Sequence, residues 1–226
     1  MKKYFMLISL MGIVLCSCNN ENVYSCDDTI DEWVQDNLSE IRVMSRTAWT
    51  TLEEDIKAPV YRAFTNQQRV DFWIEKLTDV LSLDWNEAEK EHIASVIDFV
   101  NQHPNYLDGY DYLADDDKNT VDLFFYEWEE KAKGEFNWSK ELIYGIIVSG
   151  NTLLDKTGTL LTTINQTGSR ATVLSTTEST CNCNLSDDWC GTSTCDNVTC
   201  EEKGGGVFIY CGILGMRKCN GRCGGI

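Results

Sequence analysis

The chain has almost no histidine: His92 and His103 are the only two in 226 residues. Glu89 and His92 stand three apart, a helical spacing that can share a metal, but no second such pair exists. A solvated or partly buried imidazole is expected there, and no metal or cofactor. Base is scarce too. Lys and Arg number 19 against 36 Asp and Glu, a net charge of −17, which excludes the basic surface that nucleic acid requires. Cysteine is missing between Cys26 and Cys181. No segment after the N-terminus is long and apolar enough to span a bilayer. Enzyme signatures are lacking as well: there is no Gly-x-Ser-x-Gly, no His-Glu-x-x-His and no phosphate-binding glycine loop. Asp115-Asp116-Asp117 lacks the alternating oxygen ligands, central glycine and closing glutamate of a calcium loop. These absences point to a protein that is not an enzyme.

What is present divides the chain. Lys2-Lys3 precede an apolar run from Tyr4 to Leu15 and then Cys16-Ser17-Cys18, the pattern of a secretory signal peptide. Leu15-Cys16-Ser17-Cys18 resembles a bacterial lipobox, which implies acylation of Cys18 and a signal peptide within residues 1–18. Acyl chains would hold the mature protein on a membrane without a transmembrane helix. The expected location is the cell envelope, as an outer-membrane or cell-surface lipoprotein.

Residues 19–158 predict an acidic α-helical domain. Ile30, Trp33, Val34, Leu38 and Ile41 share one helical face. Thr65 is placed to cap a helix with the stripe Val70, Trp73, Ile74, Leu77 and Leu81. Asn86 caps a third, with Ile93, Val96, Ile97 and Val100 inward and Pro104 as its stop. Asp115 to Asp117 load the start of a fourth, whose stripe is Val121, Phe124, Phe125 and Trp128. Asn137 opens a fifth, with Leu142, Ile143, Ile146 and Ile147. The expected fold class is mainly α: a small helical bundle, a linker, and a small disulfide-rich loop and β module. Trp33, Trp73 and Trp128 lie on apolar stripes and are read as core. Trp49, Trp85 and Trp138 lie near helix ends, where sequence decides less.

Residues 159–180 hold eleven Ser or Thr in 22 positions and lose apolar periodicity, so they predict a linker or a strand-like connection. Arg170 is its only base, so the segment reads either as a site for a trypsin-like protease or as an intact flexible spacer. Residues 181–226 then carry Cys181, Cys183, Cys190, Cys195, Cys200, Cys211, Cys219 and Cys223. After an export signal, eight cysteines imply four disulfides, with the pairing open. Cys26 is left as the odd cysteine of the mature chain. A segment this short cannot bury enough apolar area to fold unaided. Zinc is the rival, because Cys219 and Cys223 have a ligand-like spacing, but the tail holds no histidine and export favours oxidation. Gly204-Gly205-Gly206 before Val207-Phe208-Ile209-Tyr210-Cys211 reads as a turn into a strand.

Cys181-Asn182-Cys183 through Trp189-Cys190 resembles the opening of the fulvocin C bacteriocin family in its Cys-x-Cys-x6-Cys spacing and its aromatic residue before the third Cys. Tyr210-Cys211 and Cys219-Asn220-Gly221 resemble that family's closing segment, whereas the spacing between Cys195 and Cys219 departs from it. Tyr61-Arg62-Ala63-Phe64 and Phe72-Trp73-Ile74-Glu75-Lys76-Leu77 resemble the larger fulvocin C-related lipoproteins. The resemblance implies an antibacterial module on a helical carrier, released by cleavage in the linker as a secreted fragment. Val207, Phe208, Ile209, Ile213, Leu214 and Met216, beside Arg217, Lys218 and Arg222, would then meet the lipids of a target-cell envelope. The alternative is that these apolar residues pack the module's own core. The corresponding alternative for function is a lipoprotein that never releases the module and binds a surface protein or glycan through it.

Overall fold

Side-chain caps decide where several of the helices begin. The computed structural model describes residues 23–25, 27–161, 183, 195–197 and 209–223, with the backbone alone at 195–197, 209–210 and 222–223. Asp27 accepts hydrogen bonds from the Thr29 and Ile30 amides and opens α1, Asp28–Asp36. Two short helices follow, α2 (Leu38–Ile41) and α3 (Arg46–Thr50). Then come α4 (Glu54–Ala63) and α5 (Asn66–Leu81). Thr65 starts α5 with a reciprocal capping box to Gln68, and Asn86 starts α6 (Glu87–Gln102) with another to Glu89. After two short 3-10 turns, α7 (Asp115–Gly134) opens on three aspartates, as suits a helix N-terminus. Ser139, not Asn137, caps α8 (Lys140–Ile147); Asn137 instead sits at φ 54, in the left-handed region just before that cap.

The core runs through all of these helices. Val34, Ile41, Trp73, Leu77, Ile93, Val96, Ile143, Ile146 and Ile147 are fully enclosed. Trp49, Trp85 and Trp138, near helix ends, are buried, as are Trp73 and Trp128. Trp33 corrects the sequence reading: it is 39% exposed, because α1 packs through Val34 at the margin of the bundle. The fold is mainly helical with small strands towards the C-terminal end, as the residue pattern predicts.

The first residues of the predicted linker, 159–161, are the only ones of it among the described residues, and two of them form a strand. β1 (Thr152–Leu153) pairs antiparallel with β2 (Leu160–Leu161), so residues 159–161 close a hairpin against α8. Gly158 turns that hairpin at φ +92, where a Cβ would stand 2.6 Å from the Glu141 carbonyl carbon. In the cysteine-rich region β3 (Cys195–Asn197) pairs antiparallel with β6 (Gly221–Cys223), setting Cys195 opposite Cys223 in register. β4 (Ile209–Cys211) pairs with β5 (Arg217–Lys218). Cys183 bridges to Gly221 by backbone hydrogen bonds.

Candidate functional site

The turn between β4 and β5 plugs into the helical core. A disulfide joins Cys211 to Cys219 and closes a loop of nine residues, Cys211 through Cys219. Inside it the backbone takes a positive φ at Gly212 (φ 68), Leu214 (φ 50) and Gly215 (φ 62). Leucine rarely adopts that conformation, which costs roughly 1–2 kcal/mol. The surroundings enforce it. Leu214 is wholly enclosed, Ile213 and Met216 are 7% and 2% exposed, and all three belong to the same apolar cluster as the helices.

Specific helical residues receive the loop. Tyr61 of α4 donates its hydroxyl to the Leu214 carbonyl at 3.2 Å and itself accepts from Trp73 Nε1 at 2.9 Å. Burial pushes the Tyr61 phenol up to about 12, and the nearby Arg69 only partly offsets that, so Tyr61 stays a neutral donor. Gly215 is needed beside it, since a Cβ there would stand 3.1 Å from the Tyr61 ring at a positive φ. The Tyr110 amide donates to the Met216 carbonyl at 2.9 Å. Arg217 lies 3.6 Å over the Tyr110 ring and pairs with Asp122 of α7 at 2.9 Å, and Asp122 also accepts from the Tyr110 hydroxyl at 2.6 Å.

The residues read from sequence as envelope contacts therefore divide. In the intact chain Ile213 and Leu214 are buried, and they pack within the apolar cluster of the helical domain. Arg217 is held by Tyr110 and Asp122. Lys218 is half-exposed in β5, and Ile209 lies in β4. Phe208 lies outside the described residues, as do Cys18, Cys26, Arg170, Cys181, Cys190 and Cys200. Cys183 is disulfide-bonded and buried.

Glu89 and His92 are engaged in packing. Burial works against charge on Glu89, but bonds from Lys156, the Asn86 amide and Trp138 outweigh it and hold the carboxyl below its ordinary value. His92 stacks on Trp128 with ring centroids 4.5 Å apart, and its Nε2–H donates to the Trp128 carbonyl at 3.0 Å. Burial pushes its imidazole down to about 4, against the opposing effect of that bond.

Sequence reasoning missed a second cluster. Arg46, Lys57 and Lys76 are 3%, 1% and 0% exposed and converge on the turn after α8, residues 149–152. Arg46 donates to the Gly150 carbonyl and pairs with Asp79. Lys57 Nζ reaches Asn151 Oδ1 at 2.8 Å, and Lys76 Nζ donates to the Asn151 carbonyl. Burial, then the neighbouring Arg46, brings the Lys76 ammonium down to about 7. Buried lysines are rare unless paired, so periodicity counts these positions as surface. Gly150 closes the turn on an aromatic floor: a Cβ there would stand 2.6 Å from Phe72 and 2.9 Å from Trp49.

No family model, curated protein or solved structure matches the chain.

Proposed function

We propose that this chain is an exported, lipid-anchored protein of the cell envelope that acts by binding rather than by catalysis. Its disulfide-rich C-terminal module stays docked on the helical domain and offers its outer surface to a protein or glycan. One observation carries this reading: Ile213, Leu214 and Met216 are part of the helical core, so the module's most apolar described turn is already occupied. Arg217, a cation that a lipid headgroup would attract, is likewise paired within the chain. The lipobox-like Leu15-Cys16-Ser17-Cys18 supports the anchor, and the eight clustered cysteines support an oxidising compartment.

The second reading is a bacteriocin-like precursor that secretes its C-terminal fragment after cleavage near Arg170. Its support is the resemblance in the Cys181–Cys190 spacing. On that reading the helical domain is a carrier that shields the turn at Leu214 until release, and the freed module acts on a target-cell envelope.

Non-reducing mass spectrometry of membranes and culture medium separates the two. The docked reading predicts intact acylated chain on the membrane. A fragment in the medium beginning between Arg170 and Cys181 would sink it and establish the precursor.

A further inference from the structure

Asn151 is heavily engaged, away from the docked turn. Its carboxamide oxygen meets Lys57 Nζ at 2.8 Å, and its Nδ2 stands 3.4 Å from Glu54 Oε1. The other Glu54 oxygen, Oε2, is 2.9 Å from the same Lys57 Nζ. One carboxylate thus touches both an amine and the amide nitrogen of the carboxamide beside that amine. The turn is immobilised from both sides. Lys76 holds the Asn151 carbonyl, and Ser149 Oγ accepts from the Asn151 amide at 3.2 Å. Lys57 is walled by Trp49, whose ring lies 5.4 Å from Nζ and whose indole N–H donates to the Lys57 carbonyl. Lys57 is 1% exposed and Asn151 7%, so water has little access to either.

From this triangle we infer that Lys57 and Asn151 form an intramolecular isopeptide bond, with Glu54 as the proton shuttle. Glu54 takes a proton from the Lys57 ammonium across their contact and leaves a neutral amine. The amine lone pair attacks Asn151 Cγ, forming the new N–C bond and a tetrahedral centre. Glu54 returns the proton to Nδ2, the Cγ–Nδ2 bond breaks, and nitrogen leaves as ammonia. The surplus proton on the former ammonium nitrogen passes through Glu54 to the departing ammonia, which ends as ammonium. The products are a secondary amide, a regenerated carboxylate and one ammonium ion, with no oxidant, reductant or cofactor consumed. Fixed juxtaposition supplies what a bimolecular amide exchange lacks in water. A positioned carboxylate supplies the acid and base steps. The bond would tie α4 to the turn after α8, across 94 residues of chain.

The test is peptide mapping of the purified, reduced and alkylated full chain after trypsin. A linked pair is expected, Thr47 to Arg62 joined to Glu141 to Lys156, lacking one ammonia and uncut at Lys57. Recovery of the two peptides unlinked, with Asn151 intact or deamidated, would overturn the inference. The Glu54 side chain is 62% exposed and Asn151 Oδ1 still receives Lys57 Nζ in its absence, so E54Q is expected to keep the fold, checked by helical circular dichroism that matches the parent. It should give unlinked peptides; full linkage in E54Q would overturn the role assigned to Glu54.

Discussion

Leu214 is the position at which the docking account is most exposed to refutation. Its side chain is 0% exposed and its φ is 50. Leu214→Ala removes the buried methyls and keeps the strained backbone, so it should cost about 2–5 kcal/mol. Leu214→Gly removes the same side chain but relieves the left-handed backbone. Glycine's extra freedom in the unfolded chain takes back part of that gain. The net expectation is that L214G is more stable than L214A by roughly 0.5–1 kcal/mol. This reverses the usual order, in which glycine is the poorer residue. The assay is urea denaturation of the oxidised protein followed by helical circular dichroism. Both variants should shift the helical transition, because the side chain packs in the helical core. A helical midpoint that is unmoved in both variants would refute docking, and L214G less stable than L214A would refute the backbone argument.

Replacing the Cys211–Cys219 bridge by Ser at both positions removes a nine-residue closure and should lower stability by about 2–3 kcal/mol, read by the same denaturation. Gly150→Ala drives a Cβ to 2.6 Å from Phe72, so the floor must shift; about 1–3 kcal/mol of destabilisation is expected in thermal melts. His92 titrates near 4 in the folded protein against 6.5 ordinarily. The unfolded chain therefore binds this proton first, and stability falls as pH drops from 6.5 towards 4, with a loss of up to about 3 kcal/mol. His92→Phe should flatten that part of the profile in urea titrations at stepped pH; an identical slope would contradict the assignment.

Local features of this chain are legible in its sequence. Thr65 and Asn86 declare helix starts because a cap is a contact within four residues, and both form the boxes their neighbours Gln68 and Glu89 allow. The stripes on α5, α6 and α8 hold because helical periodicity is equally local. Trp33 departs from its stripe because a stripe says which face turns inward, not how far the neighbouring helices extend over it. α4 is masked by Lys57, which periodicity counts as solvated, and by Pro59, which lies inside the helix. The docking site is illegible for a more basic reason. Tyr61 and Leu214 meet across 153 residues, and no local pattern encodes that separation. Its one trace is Tyr61-Arg62-Ala63-Phe64, singled out by resemblance, which supplies the phenol beneath the loop. The chemistry of Asn151 leaves no trace at all, because its partners come from α4 and α5 and converge only in the folded chain.

The claim that the C-terminal segment is a working part of the helical core is tested most directly by cutting between them. A full chain carrying an inserted protease site just after Arg170 would be cleaved under native, oxidising conditions and passed over a sizing column. The account predicts that both pieces elute together at the mass of the uncut protein, and separate only in urea that also melts the helices. A C-terminal fragment that elutes alone in native buffer would contradict it.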